Sequence, residues 1–473
     1  MREVRIEPIP LDRLTALLEP ERVARLSTYA AEARELLDGR IVWNVNATAT
    51  GGGVAEMLQA LLAYGRGAGV DTRWLVLDGT PEFFRLTKRV HNLLHGSSGD
   101  GGALGDAERE LYERVLADNV TSLLGQVRAG DVVILHDPQA AGLVPSLESA
   151  GVHTVWRCHI GRDTPNDQTE EAWAFLRPYV EHFDAVIFSR SAYVPGWVDE
   201  NRVWVIPPSL DPFTAKNTEI LPGDVDAVLN HAGLVRTADR DGGLQFRRRD
   251  GSTGVVRPHE RLIHGDQVVP GEARLVLQVS RWDRLKDMAG VLTGFADHLA
   301  HLPEDVHLML AGPETEGVTD DPEGAEVLEE CRELWLRRPA EIQRRIHLCS
   351  LPMDDVDENA YLVNALQRHA VVVVQKSLIE GFGLTVTEPM WKSKPVVASR
   401  VGGIQDQIVD GESGLLLDDP SDLDALGTAL DTVLSDDDLA RRLGSRAHDR
   451  VRDQYLGDRH LMQYVDLFRQ LQH

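Results

Sequence analysis

The sequence predicts an α/β fold built from two doubly wound, Rossmann-like domains, and three observations lead to it. The 473 residues exceed what one hydrophobic core usually supports, so two domains of roughly 200 residues are expected. Short apolar runs typical of strands buried on both faces alternate with helical stretches. This alternation occurs twice, with a proline-rich break between the two series.

The predicted strands of the two domains are short apolar runs bounded by turn residues. In the first domain they are residues 41–45, 74–77, 132–135, 153–156, 185–188 and 203–206, with helices such as 54–64 and 107–128 between them. In the second they are residues 274–279, 306–310, 345–348, 371–374 and 395–398. The break lies at residues 207–212, because closely spaced prolines cannot continue a helix or a central strand.

The predicted domain organisation has four parts. Residues 1–37 are expected to form a helical extension, 38–212 the first domain, 213–455 the second domain, and 456–473 a helix packing on the first domain. An insertion at residues 231–270 contains a predicted hairpin that turns at Asp250-Gly251. Its arginines Arg247, Arg248 and Arg249 could bind an anion, although a solvated edge is the favoured interpretation.

Composition excludes several classes of function. With 49 Lys and Arg against 75 Asp and Glu, the formal charge is -26, which is the wrong sign for binding nucleic acid or an anionic membrane. The start of the chain lacks the apolar stretch of a signal peptide, so a cytoplasmic location is expected. The three cysteines have no metal-ligand spacing, and no metal site is predicted.

Two cations follow the first strand of the second domain. Arg281 and Lys286 come directly after residues 274–279, and ligands of open α/β sheets bind at the carboxyl ends of strands. A guanidinium suits a forked contact with a diphosphate, and an ammonium adds a point charge. On charge and spacing alone, an ion-pair cluster of these two with Asp283 and Asp287 is an equal alternative.

A glycine-containing segment strengthens the prediction of an anion site. Residues 380–388 follow the strand at 371–374 and lead into a helix, carrying a glutamate at each end, Glu380 and Glu388. Glycines allow close approach of backbone N–H groups, and a helix N-terminus favours a phosphate. The predicted binding residues of this loop are Gly381, Phe382, Gly383 and Leu384.

Polar clusters also follow the strands of the first domain. The glycines at 51–53 come after the first strand, and Gly52 and Gly53 are predicted to lie against a ligand, with a plain tight turn as the alternative. Further clusters after the next two central strands suggest a pocket for a hydroxylated acceptor, with Asp137 and Gln139 in one and Arg157 and His159 in the other.

These residues together resemble a known family. Arg281, Lys286, Glu380 and Glu388 resemble the donor site of retaining nucleotide-sugar glycosyltransferases of the sucrose-synthase and trehalose-synthase group, which have the GT-B fold. The resemblance covers the chain from about residue 38 onward. Within that group, the first domain looks like the trehalose glycosyltransferring synthases at residues 44–49, 51–57, 82–92, 136–139, 156–160 and 207–212. The insertion at 231–270 and Gly161, where an aspartate is expected, depart from the family.

The resemblance implies a GT-B fold with two facing domains and a cleft, and front-face transfer of glucose from a nucleoside-diphosphate glucose to glucose, forming trehalose reversibly. It implies that Arg281 and Lys286 stabilise the diphosphate, that Glu380 holds the transferred glucose, and that Glu388 holds the ribose. It further implies that His159 contacts the donor sugar, with Gly52 and Gly53 on the donor side, and that the acceptor is bound through Asp137, Gln139 and Arg157. No tightly bound cofactor is expected. Stimulation by Mg²⁺ and a homodimer are compatible with the resemblance.

Several alternatives remain open from the sequence. A trehalose phosphorylase of the same fold would use inorganic phosphate at the diphosphate position. Another nucleotide-sugar glycosyltransferase, a non-hydrolysing epimerase and a non-catalytic sugar-nucleotide sensor are further alternatives, and the glutamate spacing argues against the epimerase. The donor base, adenine, uracil or guanine, is not predicted.

Overall fold

The computed structural model describes residues 1–49, 53–237, 242–265, 267–315 and 322–472. The chain divides into two units. Unit 1 comprises Met1–Leu210 and Tyr455–His473, and unit 2 comprises Asp211–Gln454. No helix in the described part of the chain is long and apolar enough to span a membrane.

Unit 1 is built around a seven-stranded sheet in the order β1-β3-β2-β4-β5-β6-β7. Neighbouring strands are parallel, except that β1 is antiparallel to β3. In chain order its elements are β1 (Arg2–Val4), α1 (Asp12–Thr15), α2 (Pro20–Leu36), β2 (Ile41–Asn46), α3 (Gly53–Gly67), β3 (Asp71–Val76), α4 (Pro81–Leu94), α5 (Asp106–Leu124), β4 (Val132–His136), α6 (Asp137–Ala141), α7 (Val144–Leu147), β5 (His153–Cys158), α8 (Asp167–Val180), β6 (Ala185–Phe188) and β7 (Val203–Val205).

The strands of unit 1 are buried because both sheet faces are covered. Alternate residues point to opposite faces, so Trp43 and Val45 pack in the core shared with α4, α5 and α8. Val42 and Ile134 face the other layer, which contains residues of α2 and α3. This two-sided burial explains the continuous apolar runs from which the strands were predicted.

Unit 2 contains a six-stranded parallel sheet in the order β14-β13-β12-β15-β16-β17. Two short two-stranded sheets, β9 with β10 and β8 with β11, accompany it. The elements are α9 (Pro222–His231), β8 (Val235–Arg236), β9 (Gln245–Arg247), β10 (Thr253–Val255), β11 (Val269–Pro270), β12 (Arg274–Val279), α10 (Met288–His298), β13 (Val306–Pro313), α11 (Pro322–Leu336), α12 (Ala340–Gln343), β14 (Ile346–Leu351), α13 (Val356–His369), β15 (Val372–Gln375), α14 (Leu384–Trp391), β16 (Val396–Ser399), α15 (Ile404–Gln407), β17 (Leu415–Leu417), α16 (Leu423–Ser435) and α17 (Asp437–Gln454).

The predicted doubly wound α/β fold is confirmed, and every predicted strand overlaps an observed one. The N-terminal prediction was wrong in one respect: residues 1–37 are not entirely helical, because Arg2–Val4 pairs with β3 as an edge strand. Three residues are too few to show an alternating pattern in the sequence. The last helix, α18 (Gly457–Leu471), belongs to unit 1 and packs on α2.

The predicted hairpin in the insertion is confirmed. β9 and β10 are antiparallel, and Gly251 in the turn has a φ of 84°, a conformation that favours glycine. Arg248 pairs with Asp355, and Arg249 Nε lies 2.6 Å from Asp357 Oδ1. The two arginines therefore have carboxylate partners on or beside α13, which compensates their charge.

A buried ion pair joins α2 to α18. The Asp458 side chain is fully buried, and Arg22 donates to it through Nε at 3.0 Å and Nη2 at 2.8 Å. Removing one partner of a buried pair leaves an uncompensated charge. We expect Arg22→Ala to lower the free energy of unfolding by about 3–5 kcal/mol in urea titrations. Arg25→Ala, an exposed arginine on the same helix, is the control and should change it by less than about 0.5 kcal/mol.

Candidate active site

The order of the strands in unit 2 defines where a ligand is expected. Across the sheet the order β14-β13-β12-β15-β16-β17 runs backward along the chain as far as β12 and forward from β15. The strand order therefore reverses between β12 and β15. In doubly wound sheets, ligands bind beyond the carboxyl ends of the strands at this switch point. The segments after β12 and β15 carry the cations and the glycine loop predicted from the sequence.

Lys286 and Glu380 meet at this switch point. Lys286 Nζ lies 2.6 Å from Glu380 Oε2, and the two side chains are only 16% and 10% exposed. Ser377 Oγ also donates to Glu380 Oε2, at 3.2 Å. The backbone joins the same two segments, because Leu378 N donates to Leu285 O at 2.8 Å. The two side chains are largely shielded from solvent and adjacent. The ammonium can therefore bind an anionic group of a ligand while the carboxylate accepts a hydrogen bond from a neighbouring hydroxyl.

Arg281 lies on the same loop and is 55% exposed. Its Nη2 lies 2.8 Å from Asp283 Oδ2, so this part of the alternative ion-pair cluster is present. Lys286 and Asp287 do not belong to that cluster, because Lys286 pairs with Glu380 and Asp287 pairs with the buried Lys376. A guanidinium has five N–H donors, so the contact of Arg281 Nη2 with Asp283 leaves donors of this exposed side chain for a ligand.

The glycine loop is held against α15 and its N-cap, Gly403. Gly383 has a φ of 88° and caps the N-terminus of α14. Gln407 Nε2 donates to Phe382 O at 2.6 Å, and Gly403 N donates to Gly381 O at 3.1 Å. These bonds occupy carbonyl groups of the loop. The N-terminus of α14, which begins at Leu384, favours an anion, although Val386 N already donates to Gly383 O at 2.9 Å.

Glu388 lies on α14 and is buried. Its Oε1 is 3.6 Å from Lys216 Nζ, and its Oε2 accepts from Gln367 Nε2 at 3.4 Å. Lys392, one turn later, is also buried, and this burial lowers the pKa of its ammonium to about 7. Glu388 is thus part of a buried polar cluster in unit 2 rather than an isolated surface carboxylate.

In unit 1 the strand order reverses between β2 and β4, and the predicted polar residues lie there. His136, the last residue of β4, is buried; its Nε2 is 2.9 Å from Asn44 Oδ1 and its Nδ1 is 3.2 Å from His159 Nε2. The two imidazole rings are nearly parallel, with centroids 5.5 Å apart. Burial beside the Arg157 guanidinium lowers the pKa of His136 to about 3 and that of His159 well below its usual value, so both rings are neutral at pH 7.

Asp137 begins α6 with a φ of 59°, an uncommon conformation for a residue with a side chain. Its Oδ1 accepts from His159 N at 2.7 Å, which ties the start of α6 to the segment after β5. Burial raises the pKa of the Asp137 carboxyl to about 7, although the hydrogen bond from His159 N and the Arg157 charge oppose the shift. Backbone strain and a perturbed carboxyl are features that cluster at functional sites.

The raised pKa of Asp137 predicts a pH dependence of stability. Between pH 4 and 7 the folded state binds more protons at this group than the unfolded state, so its contribution to stability falls as pH rises. Asp137→Asn keeps an oxygen for His159 N and removes this titration. We expect the urea midpoint of the variant to rise relative to the unchanged protein between pH 4.5 and 7.5, equivalent to about 3 kcal/mol. A difference independent of pH would contradict the assignment.

The other predicted residues of unit 1 have different surroundings. Arg157 is fully buried, with Nη1 3.4 Å from Phe188 O, so its charge acts from the interior of the unit. Gln139 is half-buried in α6, and Gly53 begins α3. Gly52 lies outside the described residues.

Two residues that the sequence did not single out support these sites. Lys376 follows β15 directly, and its buried ammonium pairs with Asp287, the N-cap of α10. Asn44 stands in the middle of β2 and holds His136. Asn44 could have been found in the sequence as a polar residue inside an otherwise apolar predicted strand. Lys376 could have been found as a cation at the end of a predicted strand.

Metal-ligating groups are not assembled in the described ranges. No cluster of three or more His, Cys, Asp or Glu side chains there could hold a metal ion. The three cysteines are buried thiols, and burial raises their pKa values.

Comparison with known proteins finds two family models that match parts of this sequence and solved structures with the same fold. Residues 260–450 match the family model "Glycosyl transferases group 1", and residues 44–195 match "Trehalose synthase, N-terminal domain". A solved structure titled "Trehalose-6-phosphate from E. coli bound with UDP-2-fluoro glucose" has a TM-score of 0.67 and 14% identity, covering 92% of this chain and 99% of that chain. The fold is therefore GT-B, and the chain is an enzyme of the glycosyltransferase class.

Relatives define the family further. The trehalose synthase of Pyrococcus horikoshii is 34% identical over 98% of this chain and 96% of its own length. The trehalose phosphorylase of Pleurotus pulmonarius is 26% identical over 86% of this chain and 54% of its own length. The chain belongs to the trehalose synthase family, as its sequence resemblance predicted, and is a trehalose-related glycosyltransferase that acts on a sugar donor and an acceptor.

Proposed function

We propose that the enzyme forms trehalose from a nucleoside-diphosphate glucose and glucose, with retention at the transferred carbon and in a reversible reaction. The observation that carries this proposal is the Lys286–Glu380 pair, 2.6 Å apart at the switch point of unit 2. A diphosphate needs a cation, and the attached sugar needs a hydrogen-bond acceptor for its hydroxyls. Both groups stand beside the N-terminus of α14, which favours phosphate.

The relatives support the same chemistry. The Pyrococcus horikoshii relative is named a trehalose synthase, and its match extends over nearly the whole of both chains. The E. coli structure of the same fold is described as bound with a UDP-linked fluoroglucose, a nucleotide sugar. A glucosyl nucleotide is accordingly the donor class that we propose for unit 2.

The proposed transfer proceeds on one face of the sugar. The bond between the glucose anomeric carbon and the diphosphate oxygen breaks, and a bond to the anomeric hydroxyl oxygen of the acceptor glucose forms. The proton of that hydroxyl passes to the departing diphosphate. Lys286, Arg281 and the amides of residues 381–384 stabilise the charge that develops on the diphosphate.

The remaining residues take binding roles in this proposal. Glu380 accepts from hydroxyls of the transferred glucose while Lys286 holds the diphosphate, and Glu388 takes the ribose. In unit 1, His159 contacts the donor sugar, and Asp137 with Gln139 binds the acceptor glucose. The buried charge of Arg157 lies beside Asp137 and His159 and favours the ionised form of the Asp137 carboxyl.

A direct test uses purified enzyme, glucose and each of ADP-, UDP- and GDP-glucose. The proposal expects one molecule of α,α-trehalose for each nucleoside diphosphate released, with at least one of the three donors. Nucleoside diphosphate release without a disaccharide, or a disaccharide other than α,α-trehalose, would refute it. The reverse incubation, trehalose with nucleoside diphosphate, should regenerate nucleotide sugar and glucose.

Trehalose phosphorolysis is a second candidate, because the Pleurotus pulmonarius relative carries that name. In that reaction inorganic phosphate would occupy the position of the diphosphate phosphate nearest the sugar, and the same cations would serve. Release of glucose 1-phosphate from trehalose and phosphate, without any nucleotide, would establish it instead.

A further inference from the structure

A chain of hydrogen bonds runs from the middle of the unit 1 sheet to His159. Asn44 on β2 and His136 on β4 are both buried, and His159, in the segment after β5, is half-buried. Asn44 Oδ1 is 2.9 Å from His136 Nε2, and His136 Nδ1 is 3.2 Å from His159 Nε2. Each ring therefore contacts the next group through one defined nitrogen.

The chemistry of these contacts determines where the protons are. In the orientation that the structure gives the Asn44 amide, its oxygen faces His136 Nε2, and because an amide oxygen only accepts, Nε2 carries the proton and donates. His136 is neutral, because burial and the Arg157 charge lower its pKa to about 3, and its Nδ1 then has only a lone pair. The contact between the rings therefore requires a proton on His159 Nε2.

We propose that Asn44 and His136 are positioning residues that hold His159 as the Nε2–H tautomer, so that His159 Nδ1 is a hydrogen-bond acceptor for a sugar hydroxyl. The identity of the ligand rests on the proposed function; the tautomer does not. The hydrogen bond made by one ring nitrogen of a histidine sets whether the other nitrogen can accept from a ligand.

The main chain of His159 is restrained at the same time. Asp137 Oδ1 accepts from His159 N at 2.7 Å, and the ring lies nearly parallel to that of His136, at an interplanar angle of 8°, in contact through the two ring nitrogens. One contact holds the backbone and the other holds the ring. Burial, and after it the nearby Arg157 and His460, lower the pKa of His159, so the ring stays neutral. The contacts of Asn44 and His136 then determine which of its nitrogens carries the proton.

Substitutions at the two positioning residues separate the tautomer from packing. His136→Leu replaces the imidazole with an apolar side chain of similar reach and removes the acceptor for His159 Nε2. His136→Asn restores an acceptor oxygen near the position of Nδ1. Asn44→Leu removes the group that selects the tautomer of His136. Ser209→Ala is the control, because Ser209 Oγ is 2.8 Å from the Nδ1 of another buried histidine, His460.

The measurement is the ¹⁵N spectrum of histidine-labelled protein at pH 7 without substrate, with the His159 signals assigned by His159→Gln. We expect the Nε2–H tautomer at His159 in the unchanged protein, His136→Asn and Ser209→Ala, and a mixture of tautomers in His136→Leu and Asn44→Leu. A protonated Nδ1 at His159 in the unchanged protein would overturn the proposal. An unchanged tautomer in both leucine variants would also overturn it.

Kinetics of the same variants supply the second readout. His136→Leu and Asn44→Leu should lower kcat/KM for transfer about tenfold, the equivalent of one hydrogen bond, while His136→Asn recovers most of it. If the tautomers are as expected but none of these proteins makes trehalose, the proposed function is wrong. The positioning of His159 by Asn44 and His136 is then still supported. If transfer is normal in both leucine variants, the positioning role fails alone.

Discussion

Lys286→Ala is expected to lower kcat for sugar transfer by about 100-fold or more, because the fixed cation that we propose to stabilise the leaving group is lost. The ammonium of Lys286 is only slightly exposed and lies 2.6 Å from Glu380, so it is pre-positioned and water replaces it poorly. The effect should appear in kcat as well as in KM, since charge on the diphosphate increases as the sugar bond breaks. Steady-state kinetics with the preferred donor measure both constants.

Arg284→Ala is the matched control for Lys286→Ala. Arg284 lies two residues earlier on the same turn, is half exposed, and pairs with Glu326 and Glu330 of α11. Exposed pairs contribute little, so kcat should stay within about twofold of the unchanged enzyme. Comparable losses in both variants would mean that the turn is a structural feature, and a normal kcat in Lys286→Ala would remove the lysine from the site.

Gly403→Ala is expected to lower kcat/KM by about 10- to 100-fold, because misplacing binding groups by about 1 Å can have effects of that size. A Cβ atom at Gly403 would lie 2.7 Å from Phe382 Cα and 3.0 Å from Gly381 O, distances that force the glycine loop to move. The loop would shift away from the position set by the bond from Gly403 N to Gly381 O.

Gly196→Ala serves as the comparison for the glycine variant. Gly196 has an ordinary φ, and a Cβ there meets no atom within 4 Å. Kinetics and thermal unfolding should both be unchanged within error. A Gly403→Ala enzyme with unchanged affinity for its donor would show that the 381–383 loop does not contact the ligand.

The fold could be predicted from sequence because parallel strands buried on both faces have an unmistakable composition. Runs such as residues 132–135 are apolar throughout, since helices cover both sides of the sheet. The short edge strand Arg2–Val4 escaped prediction, because it has only three residues and none of them is buried. Edge strands owe their conformation to the neighbouring strand rather than to their own residues.

Site residues could be predicted from the sequence where polar side chains directly follow a strand. Contacts between residues from distant segments of the chain could not. Lys286 and Glu380 were each visible as polar residues after a strand, but their contact bridges 94 residues. Asn44 was visible only as part of a buried strand, and its role depends on the neighbouring strand that brings His136 beside it. Strand order determines which carboxylate pairs with which cation. The spacing of residues along the sequence does not reveal that order.

The most direct test of the central claim, glucosyl transfer between a nucleotide sugar and glucose, is product analysis in one experiment with two donors. Purified enzyme is incubated with glucose and either nucleoside-diphosphate glucose or glucose 1-phosphate, and the disaccharide is identified by NMR. We predict α,α-trehalose from a nucleoside-diphosphate glucose, with the transferred glucose still in the α configuration, and at least about 100-fold less in Lys286→Ala. Trehalose formed from glucose 1-phosphate alone, or no disaccharide from any donor, would contradict the account.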